Sequence, residues 1–133
     1  MRNKKTKNRI NSNKLLTIIT IAKSNIFELN KTYNSLRKSL NNNEYLIEWI
    51  LILSGDFQGL KDEISNNHSN VRVYHQEPKG IYNAMNTGIK LSKGTYSWFI
   101  NAGDEIENNN FNKLIKIIKF SKIDLHFFPV IIK

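Results

Sequence analysis

Cysteine is absent from the 133 residues, which removes disulfides, thiolate metal sites and thiol nucleophiles, and is compatible with a reducing compartment. Long apolar runs are also missing. The longest, Leu15 to Ala22 and Trp49 to Leu53, have the length of strands rather than the roughly 20 residues that span a bilayer. The three histidines, at 68, 75 and 126, lack metal-ligand spacing. No Walker loop, Gly-rich dinucleotide fingerprint or nucleophilic Ser elbow occurs, so ATPase, dehydrogenase, zinc-hydrolase and serine-hydrolase chemistries lose their sequence support.

Acidic residues are missing from one place. Residues 1 to 14 carry six Lys/Arg and no Asp or Glu, so much of the net charge of +9 sits in this segment, and the remainder holds 14 basic against 11 acidic residues. The segment is expected to be a solvated, disordered arm, with attraction to anionic membrane as the alternative and nucleic-acid binding as a lesser one. It lacks the apolar stretch and cleavage pattern of a secretory signal, which points to a cytoplasmic protein. The remaining residues, 15 to 133, are read as one domain.

"KLLTIITIA" and "EWILILSG" read as strands buried on both faces, and "VRVYHQE" and "TYSWFIN" as two further strands. Helices are expected from an N-cap at Ser24 or Asn25 to about Leu40, over "LKDEIS", through the Ile81 to Leu91 stretch, and from roughly Asn110 to Ser121. "IDLHFFPVIIK" reads as a last strand. Ile81, Met85 and Ile89, beside Ala84, Gly88 and Leu91, form one apolar helical face assigned to the core. Trp49 and Trp98, inside strands, are expected to pack rather than to stack on ligand. Alternating strands and helices imply an α/β fold with a mostly parallel sheet and helices on both faces.

In such a sheet ligands bind beyond the carboxyl ends of the strands. The loops there, Ala22 to Asn25, Ser54 to Gln58, Gln76 to Gly80 and Asn101 to Glu105, carry Lys23, Ser24, Asp56, Lys79, Asn101, Asp104 and Glu105. In "FINAGDE" a buried strand ends in Asn, two small residues and two acids. Carboxylates so placed suit a hard divalent cation that keeps phosphate oxygens as further ligands. They equally suit a plain acidic turn or the N-terminal charge of the next helix.

From Leu15 to Glu107 the sequence resembles the nucleotide-sugar half of family 2 glycosyltransferases with the GT-A (Rossmann-like) fold, of the bacterial exopolysaccharide, lipopolysaccharide and colanic-acid type. The resemblance is carried by "EPKGIYNAMNTGI", "KGTYSWFINAGD" and "EWI", in order and spacing. It implies that Ala22, Lys23 and Ser24, the helix-start positions Lys79, Gly80, Asn83 and Asn86, and Asn101 contact a nucleotide sugar. It also implies that Asp104 binds Mg²⁺ or Mn²⁺ on the diphosphate. Lys79 would meet phosphate, and Gly80 would allow close backbone approach.

The sequence departs from the family at several of these places. Leu53 stands where members carry a base-recognising Asp, with Asp56 as the nearest substitute. "EPKG" is one residue shorter than "EPDKG", Asn83 replaces a common Asp, and the turn at Asn101 has one acid fewer than in "NSDD" variants. Members also continue well beyond 133 residues into an acceptor half that supplies the general base, so a partial GT-A fold without that half is expected and no catalytic base is assigned. The resemblance implies sugar transfer from a nucleotide-diphosphate donor to a glycan or lipid-linked acceptor in bacterial surface-glycan assembly, with the basic arm in weak contact with the inner face of the cytoplasmic membrane. The alternative is a non-catalytic nucleotide-binding remnant or interaction module of an interrupted gene.

Overall fold

β1 (Lys14–Lys23) and β2 (Ile47–Ser54) are the two strands whose sequences are apolar at nearly every position, and a computed structural model describing residues 14–120 buries them on both faces. β3 (Val71–His75) and β4 (Gly94–Phe99) flank them, giving a four-stranded, all-parallel sheet in the order β3-β2-β1-β4. The helices are α1 (Ile26–Asn42), α2 (Leu60–Asn67), α3 (Ile81–Leu91) and α4 (Asn108–Phe120). The expected final strand, the end of the last helix at Ser121 and all of the basic arm except Lys14 lie outside the described residues.

The chain lays β1, β2 and β3 side by side in one direction, then crosses back to place β4 on the other side of β1. Right-handed crossovers on both sides of this reversal send the connecting helices to opposite faces. Even-numbered residues of β1 and odd-numbered residues of β2 pack under α1, α2 and α4, where Trp49 stacks on Tyr33 and Trp98 on Phe111. Both tryptophans are buried, as expected. Ile19, Ile50 and Ile52 line the opposite face beneath α3.

Asn25 caps α1, its side chain accepting from the Glu28 N–H at 3.1 Å. The helix then runs through Asn41 and Asn42, beyond the expected end near Leu40, because the Asn43 N–H and side chain both close on the Ser39 carbonyl. α4 starts at Asn108, two residues before the expected Asn110, with the Asn110 N–H bonded to the Glu107 carboxylate.

α3 departs further from expectation. Ile81 and Ile89, assigned to the core, are 52% and 51% exposed, and Met85 is only partly buried. The helix touches the sheet through Ala84 and Gly88, with Gly88 seated against Ile19. Small residues bring the helix axis close, so the larger side chains on either flank of the contact stay in solvent.

A buried carboxylate ties this helix down. Glu48, on the α3 face of β2, accepts from Thr17 Oγ1 at 2.7 Å, from Arg72 at 2.8 Å and from the Lys93 N–H at 2.7 Å. Arg72 also donates to the Leu91 carbonyl at 2.6 Å, holding the end of α3 to the sheet. Three further groups, the Thr17 hydroxyl, the Lys93 N–H and the Leu91 carbonyl, thus help to offset the desolvation of one charge pair.

Candidate functional site

The strand order reverses between β1 and β4, which places the crevice of an open α/β sheet at the carboxyl end of β1. Two features meet this edge: a pocket on the β2–β3 side and an acidic turn after β4.

The pocket has a volume of about 280 Å³. Ile21, Ile52 and Ala84 supply apolar wall, the 76–80 loop forms another side, and Lys23 and Lys79 bring ammonium groups. A second recess of about 230 Å³ shares Ser54 and Gln76 to Pro78 with it and adds Gly55 and His75. Alternation along β1 decides who faces the pocket. Ile21 and Lys23 do, whereas Ala22 is buried in the core under α1, on the other face.

Of the residues singled out from sequence, Lys23, Lys79 and Gly80 come together in this pocket. Gly80 has φ +97° and nothing within 4 Å of where a side chain would start, so backbone conformation rather than close approach calls for glycine. Ser24 stands on the adjoining loop at φ 52°, its N–H donating to the Ser54 carbonyl at 2.9 Å and its side chain against Gly55. Asp56 is outside the pocket lining and exposed, its carboxylate accepting from the Gln58 N–H at 2.8 Å in a local turn. Asn83 and Asn86 are exposed on α3 and outside the lining. Asn83 Oδ1 accepts from Gln76 Nε2 at 2.6 Å, tying the start of α3 to the end of β3.

Leu53 lines the pocket while remaining fully buried. Its side chain packs with the other odd-numbered residues of β2 under α1, so the position where the resemblance places a base-binding Asp brings no carboxylate to the pocket, and Asp56 lies outside the lining. Gln76 and Glu77 also line the pocket, although the sequence distinguishes them only as members of the Gln76 to Gly80 loop. The strand-end position of that loop was the available signal; nothing in the residue pattern ranked these two above their neighbours.

The acidic turn closes on itself. The Asp104 N–H donates to the Asn101 carbonyl at 3.0 Å, and the Asn101 N–H returns to Asp104 Oδ2 at 3.1 Å. Glu105 reaches Lys31 of α1 at 3.8 Å, a half-exposed pair of little energetic weight. Thr32 of α1 bonds the backbone of this turn, a connection that sequence reasoning missed because Thr32 lies about 70 residues away. Among the described residues no three His, Cys, Asp or Glu side chains converge as a metal cage. No helix among them is long and apolar enough to cross a membrane.

Solved structures share the fold of this sheet and its helices. The structure of S. aureus TarS 1-349 superposes with a TM-score of 0.64 at 16% identity, covering 79% of this chain and 32% of TarS. TarS 1-349 in complex with UDP gives 0.63 at 13% identity, covering 86% and 38%. The complex with UDP-GlcNAc gives 0.58 at 14% identity, covering 86% and 37%. In sequence, the chain is 31% identical over 93 residues to EpsJ of Bacillus subtilis (strain 168), an uncharacterized glycosyltransferase; the match takes in 68% of this chain and 26% of EpsJ. The chain thus spans about a quarter of its curated relative and about a third of the TarS structures. Residues 17–129 match the family described as Glycosyl transferase family 2, and the chain belongs to that family.

Proposed function

We propose that this chain binds a nucleoside-diphosphate sugar across the end of β1 and forms the donor half of an enzyme that transfers the sugar to a growing bacterial surface glycan. One observation carries the reading: a partly apolar pocket with Lys23 and Lys79 lies on one side of β1, and an acidic turn follows the strand on its other side. The pocket suits the flat apolar faces of a base, and the two ammonium groups suit phosphate oxygens. The UDP and UDP-GlcNAc complexes of TarS support this ligand class.

The acidic turn fits a divalent cation shared with the diphosphate. Asp104 Oδ2 is engaged with the Asn101 N–H, whereas no hydrogen bond from the described residues occupies Oδ1, and a cation such as Mg²⁺ needs only one or two protein carboxylates when phosphates and water complete its shell. Asp104 would hold Mg²⁺ or Mn²⁺, with Glu105 beside it. The cation would neutralise charge that builds on the departing nucleoside diphosphate. No general base is assigned among the described residues. The acceptor is expected to be a glycan or lipid-linked glycan at the cytoplasmic face of the membrane.

Calorimetry with UDP, GDP and their sugar conjugates, with and without Mn²⁺, tests the donor site. The expected result is metal-dependent binding that disappears in Asp104→Ala. A folded chain that binds none of them at millimolar ligand would end this reading. The burial of Leu53 favours a second reading, a nucleotide-binding module without transfer activity. Binding of UDP-sugar with no release of UDP in the presence of glycan acceptors would select it.

A further inference from the structure

We propose that Thr32 is a positioning residue for the acidic turn, its hydroxyl fixing from inside α1 the backbone on which Asp104 is carried. The inference rests on the donor-site reading of Asp104 given above.

The turn's internal hydrogen bonds set its shape but not its place. Its place comes from α1. Thr32 Oγ1 donates to the Asp104 carbonyl at 2.8 Å, lies 3.4 Å from the Asn101 carbonyl, and accepts from the Gly103 N–H at 2.8 Å. A threonine in mid-helix commonly turns its hydroxyl to the carbonyl four residues back. Here the hydroxyl instead spans 69 to 72 residues of sequence, and Thr32 has no solvent exposure.

The connection continues along one line of the helix. The Glu28 carboxylate lies against Gly103, whose φ of +103° disfavours any side chain there. Ser35 Oγ accepts from the Ile106 N–H at 3.0 Å and donates to the Thr32 carbonyl at 2.8 Å. Ser39 Oγ donates to Asn108 Oδ1 at 2.9 Å. Residues 28, 32, 35 and 39 follow the helical repeat, so one polar stripe of α1 grips successive points of the segment from Gly103 to Asn108.

Removing the Thr32 hydroxyl leaves the Gly103 N–H and Asp104 carbonyl without their partner and frees the turn from its anchor. Groups that orient a metal-binding carboxylate govern metal affinity although they never touch the ion, with losses of about 10–100-fold on mutation.

The experiment is titration of the 133-residue chain with UDP, with and without MnCl₂, in wild type, Thr32→Val and Thr32→Ser, with amide exchange followed at Gly103. Thr32→Val is expected to weaken Mn²⁺-dependent UDP binding by about 10-fold or more, leave metal-free UDP affinity unchanged, and accelerate exchange at Gly103. Thr32→Ser, which keeps the hydroxyl, is expected to restore both. Should Thr32→Val fail to fold, Ser35→Ala, which removes the anchor of Ile106, is expected to show the same split between metal-dependent and metal-free binding, and the absence of that split would overturn the proposal. A folded Thr32→Val chain with wild-type Mn²⁺-dependent affinity overturns the positioning role alone, provided that Asp104→Ala has lost it. Equal losses in the Val and Ser variants overturn it too. A wild-type chain without any metal-dependent binding removes both this proposal and the donor site beneath it.

Discussion

His68 shows what a single buried side chain costs this fold. Its Nε2 lies 2.9 Å from the Tyr33 hydroxyl, its ring meets Tyr33 edge-on, and Nδ1 is buried with no partner among the described residues. Burial, and then the positive charge of Arg37, lower its pKa from the ordinary value of 6.5. The folded state keeps the ring neutral where the unfolded chain would protonate it. Stability from this site is therefore complete above about pH 6.5 and declines as pH falls through the lowered folded-state value. Urea midpoints measured from neutral pH downward should show that decline beginning below 6.5 in wild type and flattened in His68→Gln; matching curves would mean that other groups control the acid limb. Nothing in "NNHSN" announced this environment, because His68 meets Tyr33 across 35 residues of sequence.

At the scale of elements, strand identity was readable and helix depth was not. β1 and β2 declared themselves because a strand buried on both faces must be apolar almost throughout. α3 declared its apolar face but not what would cover it. Periodicity says which residues share a face; the closeness of another element depends on the size of the residues at the contact, here Ala84 and Gly88. Gly88→Ala should destabilise by about 1–3 kcal/mol, since the new methyl would meet the fully buried Ile19 side chain, while Ile81→Lys and Ile89→Lys should each change stability by no more than about 0.5 kcal/mol. Chemical denaturation checks the contrast, and a large loss from either lysine would show that this face is covered in solution. The polar stripe on α1 escaped notice for a related reason. Thr32, Ser35 and Ser39 look like ordinary solvated helix residues until the chain returns some 70 residues later.

For the whole molecule, the legible part of the site was its family and its edge. The four strand-end loops were located from the strand pattern, and the pocket does gather Lys23, Lys79 and Gly80. Asn83 and Asn86, expected from the helix-start motif, and Asp56, from its strand-end loop, stand outside the pocket lining, because neither a motif nor a loop position specifies side-chain direction. Charge is distributed unevenly over the chain, with six Lys/Arg and no acid in residues 1 to 14. Deletion of that segment should abolish salt-sensitive sedimentation with vesicles containing anionic lipid and leave UDP affinity unchanged, each basic residue near such a surface contributing about 1 kcal/mol. Sedimentation indifferent to anionic lipid in the intact chain would rule out the membrane contact.

β1 pairs with β2 from Leu16 to Lys23 and with β4 from Lys14 to Ile19. Its odd positions serve the face of α3 and the pocket, and its even positions the face of α1, the helix that carries the anchor of the acidic turn. The strand works as a ruler with two scales, one for each side of the crevice. The phase between the pocket and the turn is therefore kept in the interior of the sheet, and the loops at its edge only read it out.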